Sequence, residues 1–419
     1  MDACRPQGFG IFEFLEFNER AGLQPYLCVN FDEDMPGLLE YLYGNASTLW
    51  GAQRIADGHP APYSPDIVFV CSNEEPQQHC SGKPPWPVLP PAEQGYPCYV
   101  KAFKSWAAST KAAGQSLGVW PLTVGVALDS GAGRFFAPGS EDHYRGGAAE
   151  MIEAIVAADL GPVVWDQHGD GGVAAGWNDG RAWRSILSDV PASPASMEAL
   201  TKKAGHWVKT VMLEENGGGD GLSRALGHVS NSLTFQRFGH QMVAQSAAGI
   251  FWPGRQGATN GDFQIKFLAD RIVKAPFWYS QLMLSESHQP NIVGGYHTTP
   301  SQPHACKLHP GGADCAAVNG QWADWMAAVA DDGKTLVIRT ENPNPVDVNL
   351  TATIAGGPWA TTVAVRTLAG PGLGAMNDFD TPDAVVPKNA TASLTGGGKV
   401  LSYTLPPFSF VVLTLLKKD

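Results

Sequence analysis

Several things are scarce in this 419-residue chain, and each scarcity removes a class of protein. No apolar run approaches the ~18 residues of a membrane span, so the sequence has no sign of a membrane partner. Lys and Arg number 28 against 40 Asp and Glu, a formal charge of −12, and no basic cluster interrupts that excess. An acidic surface repels phosphate backbones, which excludes nucleic acid as the partner. No glycine-rich phosphate turn follows the first apolar strand, as an open dinucleotide-binding sheet would carry. The opening MDACRPQGFG has no basic-then-apolar export pattern. Cysteines are seven, an odd number and few for such a length.

What is plentiful points elsewhere. Glycine (48) and proline (32) mark a loop-rich protein rather than a helical bundle. Thirteen Trp and ten Tyr suit flat, stackable ligands such as sugars, although a packed core uses the same residues. Cys80 and Cys98 bracket one proline-rich loop and Cys306 and Cys315 another, which reads as two disulfide staples and an oxidising compartment. His304, Cys306, His309 and Cys315 could also be read as a metal set, but their spacing fits no standard zinc pattern. Three sequons, at Asn45, Asn349 and Asn389, lean toward the same compartment.

Up to residue 287 short apolar runs alternate with helical periodicity. LQPYLCVNF, DIVFVCSNE, LTVGVALD, VVWDQHGD, TVMLEEN and AAGIFWP read as six buried strands. A helix is expected behind each, the fifth running as LSRALGHVSNSLTFQRFGHQMVAQSA and the last as DFQIKFLADRIVKAPFWYSQLMLSESH. Near-continuous apolar strands separated by helices predict a parallel α/β architecture. Polar residues gather at the strands' carboxyl ends: Asn30, Glu74, Asp129, His168 and Glu215. That distribution predicts a (β/α)8 barrel with its active site at the strand ends, of which about six units are countable. Residues 288–419 change texture to short alternating segments broken by Gly, Pro, Asn and Asp, the pattern of an antiparallel β-sandwich.

Two glutamates at barrel strand ends are the equipment of glycoside hydrolysis, one protonating the leaving oxygen and the other attacking the anomeric carbon or activating water. Strand-end glutamates also occur as solvated caps or ion-pair partners, so position alone leaves both readings open.

The motifs around them decide more. GFGIFEFLEFNERAGLQPYLCVN, then Trp50, Gly51, Arg54, Gly58, His59 and Pro60 in the spacing W-G-x-x-R-x-x-x-G-H-P, then a strand ending in Asn73-Glu74, resemble the α-L-arabinofuranosidases of glycoside hydrolase family 51. LEENGGGDGLSRALGH resembles the family's nucleophile strand and following helix, and NDFDTPDAVVPK with YTLPPFSFVVLTL its terminal sandwich strands. Ser72 stands where the family usually has Gly before its Asn-Glu pair.

The resemblance implies that Glu74 is the general acid/base, that Asn73 binds the sugar 2-hydroxyl, and that Glu215 is the nucleophile of a retaining, double-displacement reaction. Glu215 is preferred over Glu214 because the family places its Glu directly before the position that Asn216 fills. His168 falls where the family has a histidine near the nucleophile; Asn30 shapes the site, and Trp252 floors the sugar pocket or belongs to the core. The implied substrate is a terminal α-L-arabinofuranosyl group on an arabinose-containing polysaccharide or oligosaccharide. No cofactor or metal is required.

The family has two further barrel strands and a sandwich strand ahead of where this chain starts, supplying a sugar-binding glutamate and an arginine beside the nucleophile. No segment before residue 8 matches them, so the expectation is a relative lacking the N-terminal part, with open sheet edges that favour homo-oligomers. Export is expected to depend on the same missing part, giving an extracellular enzyme. Two other readings use the same residues: a non-catalytic carbohydrate-binding relative, and a barrel glycosidase acting on β-xylosides or β-glucosides.

Overall fold

A computed structural model describes residues 10–29, 31, 34–64, 67–71, 80, 90, 96–127, 153–158, 163–166, 169–171, 209–217, 221–237, 242–247, 251–253, 264–268, 270–293 and 323–418. The chain divides into two compact units, Met1–His168 with Ser196–Val211, and Gly169–Ala195 with Met212–Asp419.

The first unit is built on parallel strands. β1 (Tyr26–Val29), β2 (Val68–Cys71), β3 (Thr123–Ala127) and β4 (Val163–Asp166) pair in that order, all parallel, with Val29 beside Cys71 and Ala127 beside Asp166. β4 is followed in the sheet by the start of a long strand, β6 (Lys209–Gly217), where Asp166 registers with Val211. α1 (Ile11–Ala21) precedes β1. Parallel neighbours need crossovers, and helices supply them: α2 (Met35–Tyr43), α3 (Leu49–Asp57), α4 (Tyr96–Leu117) and a short α5 over 153–158. Pro36 in the first turn of α2 and Asp34, which accepts from the Gly37 N–H, start that helix. α4 stops at Gly118, whose φ of 72° suits glycine.

Leu15, Leu39, Phe69, Phe103, Trp106, Val124 and Ile155 share one core. Phe31 closes it, its ring 4.9 Å from that of Tyr99. The disulfide expected between Cys80 and Cys98 is present, with Cys80 buried in this core.

The second unit contains the rest of β6, paired in parallel with β5 (Gly169–Gly171) so that Glu215 registers with Gly169. β7 (Met242–Ala247) also pairs with β6. β8 (Phe251–Pro253) runs parallel to β9 (Ile265–Leu268), which pairs antiparallel with β10 (Arg271–Lys274). Helices α6 (Leu222–Arg237) and α7 (Pro276–Glu286) follow β6 and β10.

Two expectations fail here. The helix read as running to Ala247 ends at Arg237, and 242–247 is strand; the helix read over 262–288 is a strand pair followed by α7 alone. Ile265, Leu268 and Ile272 have helical spacing, but Pro276 marks where a helix can begin.

From β11 (Asn291–Ile292) the chain forms the expected antiparallel architecture: β12 (Asp324–Val329), β13 (Thr335–Asn342), β14 (Val348–Thr353), β15 (Thr362–Ala369), β16 (Lys388–Thr395), β17 (Val400–Leu405) and β18 (Ser409–Leu416). Their order is β11-β12-β13-β18-β15-β16-β17-β14, one sheet that curls until its far strands cover its near ones. Alternation sorts the two faces. Leu336, Ile338, Val411, Leu413 and Leu415 meet Val348, Leu401 and Leu405 across one core. Val337, Phe410 and Val412 turn the other way, onto Leu222, Leu226, Val229 and Leu233 of α6 and Met283 of α7.

Candidate active site

The structure places the expected residues unevenly. Glu215 lies in β6, two positions before its end, and Trp252 lies mid-strand in β8, in register with Lys266. For both it is the backbone that is described. Asn30, Asn73, Glu74 and His168 lie outside the described residues, as do Asp129, His304, Cys306, His309 and Cys315. Each of the first four follows a described parallel strand within three residues: β1 ends at Val29, β2 at Cys71 and β4 at Asp166. Carboxyl ends of parallel strands are where α/β folds place ligands.

What can be followed in detail is how the surroundings are held. Within the second unit, β6 leads into α6, whose first N–H groups would be orphans in an isolated helix. Here the Leu222 N–H donates to the Ala375 carbonyl at 2.7 Å and the Ser223 N–H to the Leu373 carbonyl at 2.8 Å. The loop after β15 therefore caps the helix that follows the Glu215 strand. Gly221 permits this approach, because a Cβ there would stand 3.0 Å from the Leu373 carbonyl oxygen.

Further along, Arg339 of β13 is 1% exposed and donates to Ser287 Oγ at 2.9 Å, to the Ser287 carbonyl and to Gln236 Oε1. One guanidinium thus ties the ends of α6 and α7 to the sheet. Burial away from water disfavours its charge and lowers its pKa to about 10. Arg339 was read only as a strand residue; an Arg inside the apolar run KTLVIRTEN is the signal that could have exposed it.

Within the first unit, the spacing of Trp50 to Pro60 acquires a physical reason. Arg54 is fully buried and donates to the carbonyls of Tyr41 (2.8 Å), His59 (3.1 Å), Leu42 (3.3 Å) and Pro60 (3.4 Å). Gly51 lets α3 start against the preceding turn, where a Cβ would meet the Asn45 carbonyl at 2.4 Å. Gly58 ends α3 with φ of 112°. His59 then stacks on Tyr63 at 4.0 Å, faces the Ala61 carbonyl at 2.6 Å through Nδ1 and Glu19 at 3.0 Å through Nε2.

Glu16, Glu19 and His59 form the one His-carboxylate cluster among the described residues, beside a cavity of about 420 Å³ lined by Leu15, Glu19, Leu23, Tyr63 and Ile67. Its geometry is that of a pin between α1 and the turn after α3. Tyr63 is 4% exposed, and burial, then the Glu16 and Glu19 carboxylates, push its hydroxyl up to about 12.

Residues 264–409 match the family model of the α-L-arabinofuranosidase C-terminal domain. Solved structures extend the likeness in fold over nearly the whole chain. An α-L-arabinofuranosidase from Thermotoga maritima, solved as an arabinose complex, superposes with a TM-score of 0.71 over 97% of this chain and 78% of its own, at 16% identity. The family 51 arabinofuranosidase from Xanthomonas axonopodis pv. citri gives 0.68 over 97% and 78%, at 17% identity. A family 51 α-L-arabinofuranosidase from Bifidobacterium longum gives 0.70 over 97% and 79%, at 15%.

No curated protein sequence matches the chain. At these identities the likeness shows the fold, a barrel joined to a C-terminal sandwich, and the resemblance read from the motifs to family 51 is borne out. Among the described residues no helix is long and apolar enough to cross a membrane.

Proposed function

We propose that this protein is a retaining exo-glycosidase that removes terminal non-reducing α-L-arabinofuranosyl groups from arabinose-containing polysaccharides or oligosaccharides. The observation that carries the reading is Glu215 near the carboxyl end of β6, in a chain with the fold of family 51 arabinofuranosidases. Glu215 attacks the anomeric carbon, and Glu74 protonates the departing glycosidic oxygen; Glu74 then deprotonates the water that releases the sugar. Successive strand residues fall on opposite faces, so only one of Glu214 and Glu215 can serve.

Retention needs the two carboxyl groups ~5–5.5 Å apart and their pKa values split, one protonated while the other is ionised. Asn73 holds the sugar 2-hydroxyl, His168 orients the nucleophile, and Asn30 and Trp252 shape the pocket.

The catalytic domain is assigned to residues 1–287, as the (β/α)8 barrel with about six units in this chain, and the sandwich to 288–419. The Cys80–Cys98 disulfide supports an extracellular setting, where arabinose-containing cell-wall polysaccharides are the accessible substrate. A fluorinated arabinofuranoside with a good leaving group tests the mechanism. It should leave a stable covalent sugar on Glu215, read by fragmentation of the labelled peptide. Labelling of another carboxylate, or product released with inverted configuration, would contradict the assignment.

A further inference from the structure

The chain has three Asn-x-Ser/Thr sequons, Asn45-Ala46-Ser47, Asn349-Leu350-Thr351 and Asn389-Ala390-Thr391, and the structure separates them from the other described asparagines by a single atom. Five non-sequon asparagines are described with their side chains, and each spends its amide nitrogen internally. Asn18 Nδ2 donates to the Phe14 carbonyl at 2.7 Å, Asn342 to Val346 at 2.8 Å, and Asn377 to Lys274 at 2.8 Å. Asn344 Nδ2 donates to Asn342 Oδ1 at 2.7 Å, and Asn291 to Asp331 at 2.8 Å. Four of these five are buried.

The sequon asparagines differ in the use of that nitrogen, and from all of these but Asn291 in exposure. All three are exposed, and so are Ser47, Thr351 and Thr391. Asn45 Oδ1 accepts the Ser47 N–H at 2.8 Å and the Ser47 hydroxyl, and Asn349 Oδ1 accepts the Thr404 hydroxyl at 2.9 Å. In both the protein uses the oxygen and leaves Nδ2 to the solvent side. Asn45 sits in the turn between α2 and α3, Asn349 on β14 at the end of the curled sheet, and Asn389 on β16.

We propose that Asn45, Asn349 and Asn389 are N-glycosylation sites of this protein. In each the amide nitrogen attacks the anomeric carbon of a polyprenyl-diphosphate-linked oligosaccharide. The C–N bond forms as the C–O bond to the diphosphate breaks; the diphosphate leaves with the bonding pair, and the amide gives up one proton. Each glycosylated Nδ2 keeps one N–H and needs no rearrangement of the fold, because no internal hydrogen bond is lost. The Cys80–Cys98 disulfide is the independent sign of a compartment where such transfer occurs. The proposal stands apart from the catalytic reading.

The test is the full chain secreted from a eukaryotic host, digested with peptide N-glycosidase in heavy-oxygen water, which converts each glycan-bearing asparagine to a heavy aspartate. The expected result is heavy aspartate at positions 45, 349 and 389, and one fewer glycan in the intact mass of each of Asn45→Gln, Asn349→Gln and Asn389→Gln. Secreted, folded wild-type chain with unconverted asparagine at all three positions would overturn the proposal; an unconverted residue at one would remove that site.

Discussion

Two side chains in the first unit show how much a single residue holds. Arg54 donates to four backbone carbonyls, of which the Leu42 carbonyl also accepts the Tyr63 N–H, and its own buried guanidinium is satisfied by them. Arg54→Met keeps the volume and removes the donors, so it is expected to cost about 3 kcal/mol or more, read as a lowered denaturation midpoint. Tyr63 is the opposite case. Among the described residues its buried hydroxyl has no hydrogen-bond partner, so Tyr63→Phe should leave stability at neutral pH unchanged or slightly higher.

Its pH signature is distinct. The folded hydroxyl is raised to about 12 from an ordinary 10.0, so the unfolded chain ionises first and binds fewer protons between those values. Stability from this group is complete below pH 10 and is lost as pH climbs through 12. Tyr41 is also raised, by burial and then by its 2.9 Å bond to Asp57, and adds to the same limb. Thermal melts from pH 8 to 11 should fall above pH 10, less steeply in Tyr63→Phe; equal slopes would show that Tyr63 does not titrate there.

At the scale of elements, the link from β6 through Gly221 to α6 is where the sandwich and the proposed nucleophile strand meet in one unit. Gly221→Val would push against the Leu373 carbonyl, with an expected cost of about 1–3 kcal/mol. On the proposed reading it should also lower kcat more than it changes KM, since the displaced strand carries Glu215; an unchanged kcat would separate the strand from the loop. The 18-residue span closed by Cys80 and Cys98 is worth about 3 kcal/mol on loop entropy, so Cys80→Ser with Cys98→Ser should lower the melting temperature clearly.

Elements also show what was legible in the sequence. β1, β2, β3, β4 and β6 could be read because parallel strands buried on both faces are continuous apolar runs. β7 was not, since Gln245 and Ser246 dilute its apolar pattern and a helical run precedes it. β16 escaped because nearly every residue of it is exposed or half-exposed, leaving no alternation to see. Phe17 has the spacing of a core residue on α1 yet is 56% exposed, while Leu15 alone among the apolar residues of that helix is fully covered.

At the scale of the whole molecule, the candidate site was legible through residue type and order rather than through geometry. Periodicity shows only that Glu74 and Glu215 stand at the carboxyl ends of predicted strands; that they form one site is the proposed reading. The buried arginines that hold the framework, Arg54 and Arg339, were visible only as letters, since their roles depend on carbonyls far away in sequence.

The central claim is that Glu215 is the nucleophile of an arabinofuranosidase. The most direct test is hydrolysis of p-nitrophenyl α-L-arabinofuranoside by the full chain beside Glu215→Ala, with p-nitrophenyl β-xyloside and β-glucoside as competing substrates. The expected result is turnover of the arabinofuranoside in preference to the other two, falling by several orders of magnitude in a Glu215→Ala variant that melts like the parent. Undiminished hydrolysis by that variant, or a folded parent that turns over only the xyloside or glucoside, would contradict the claim.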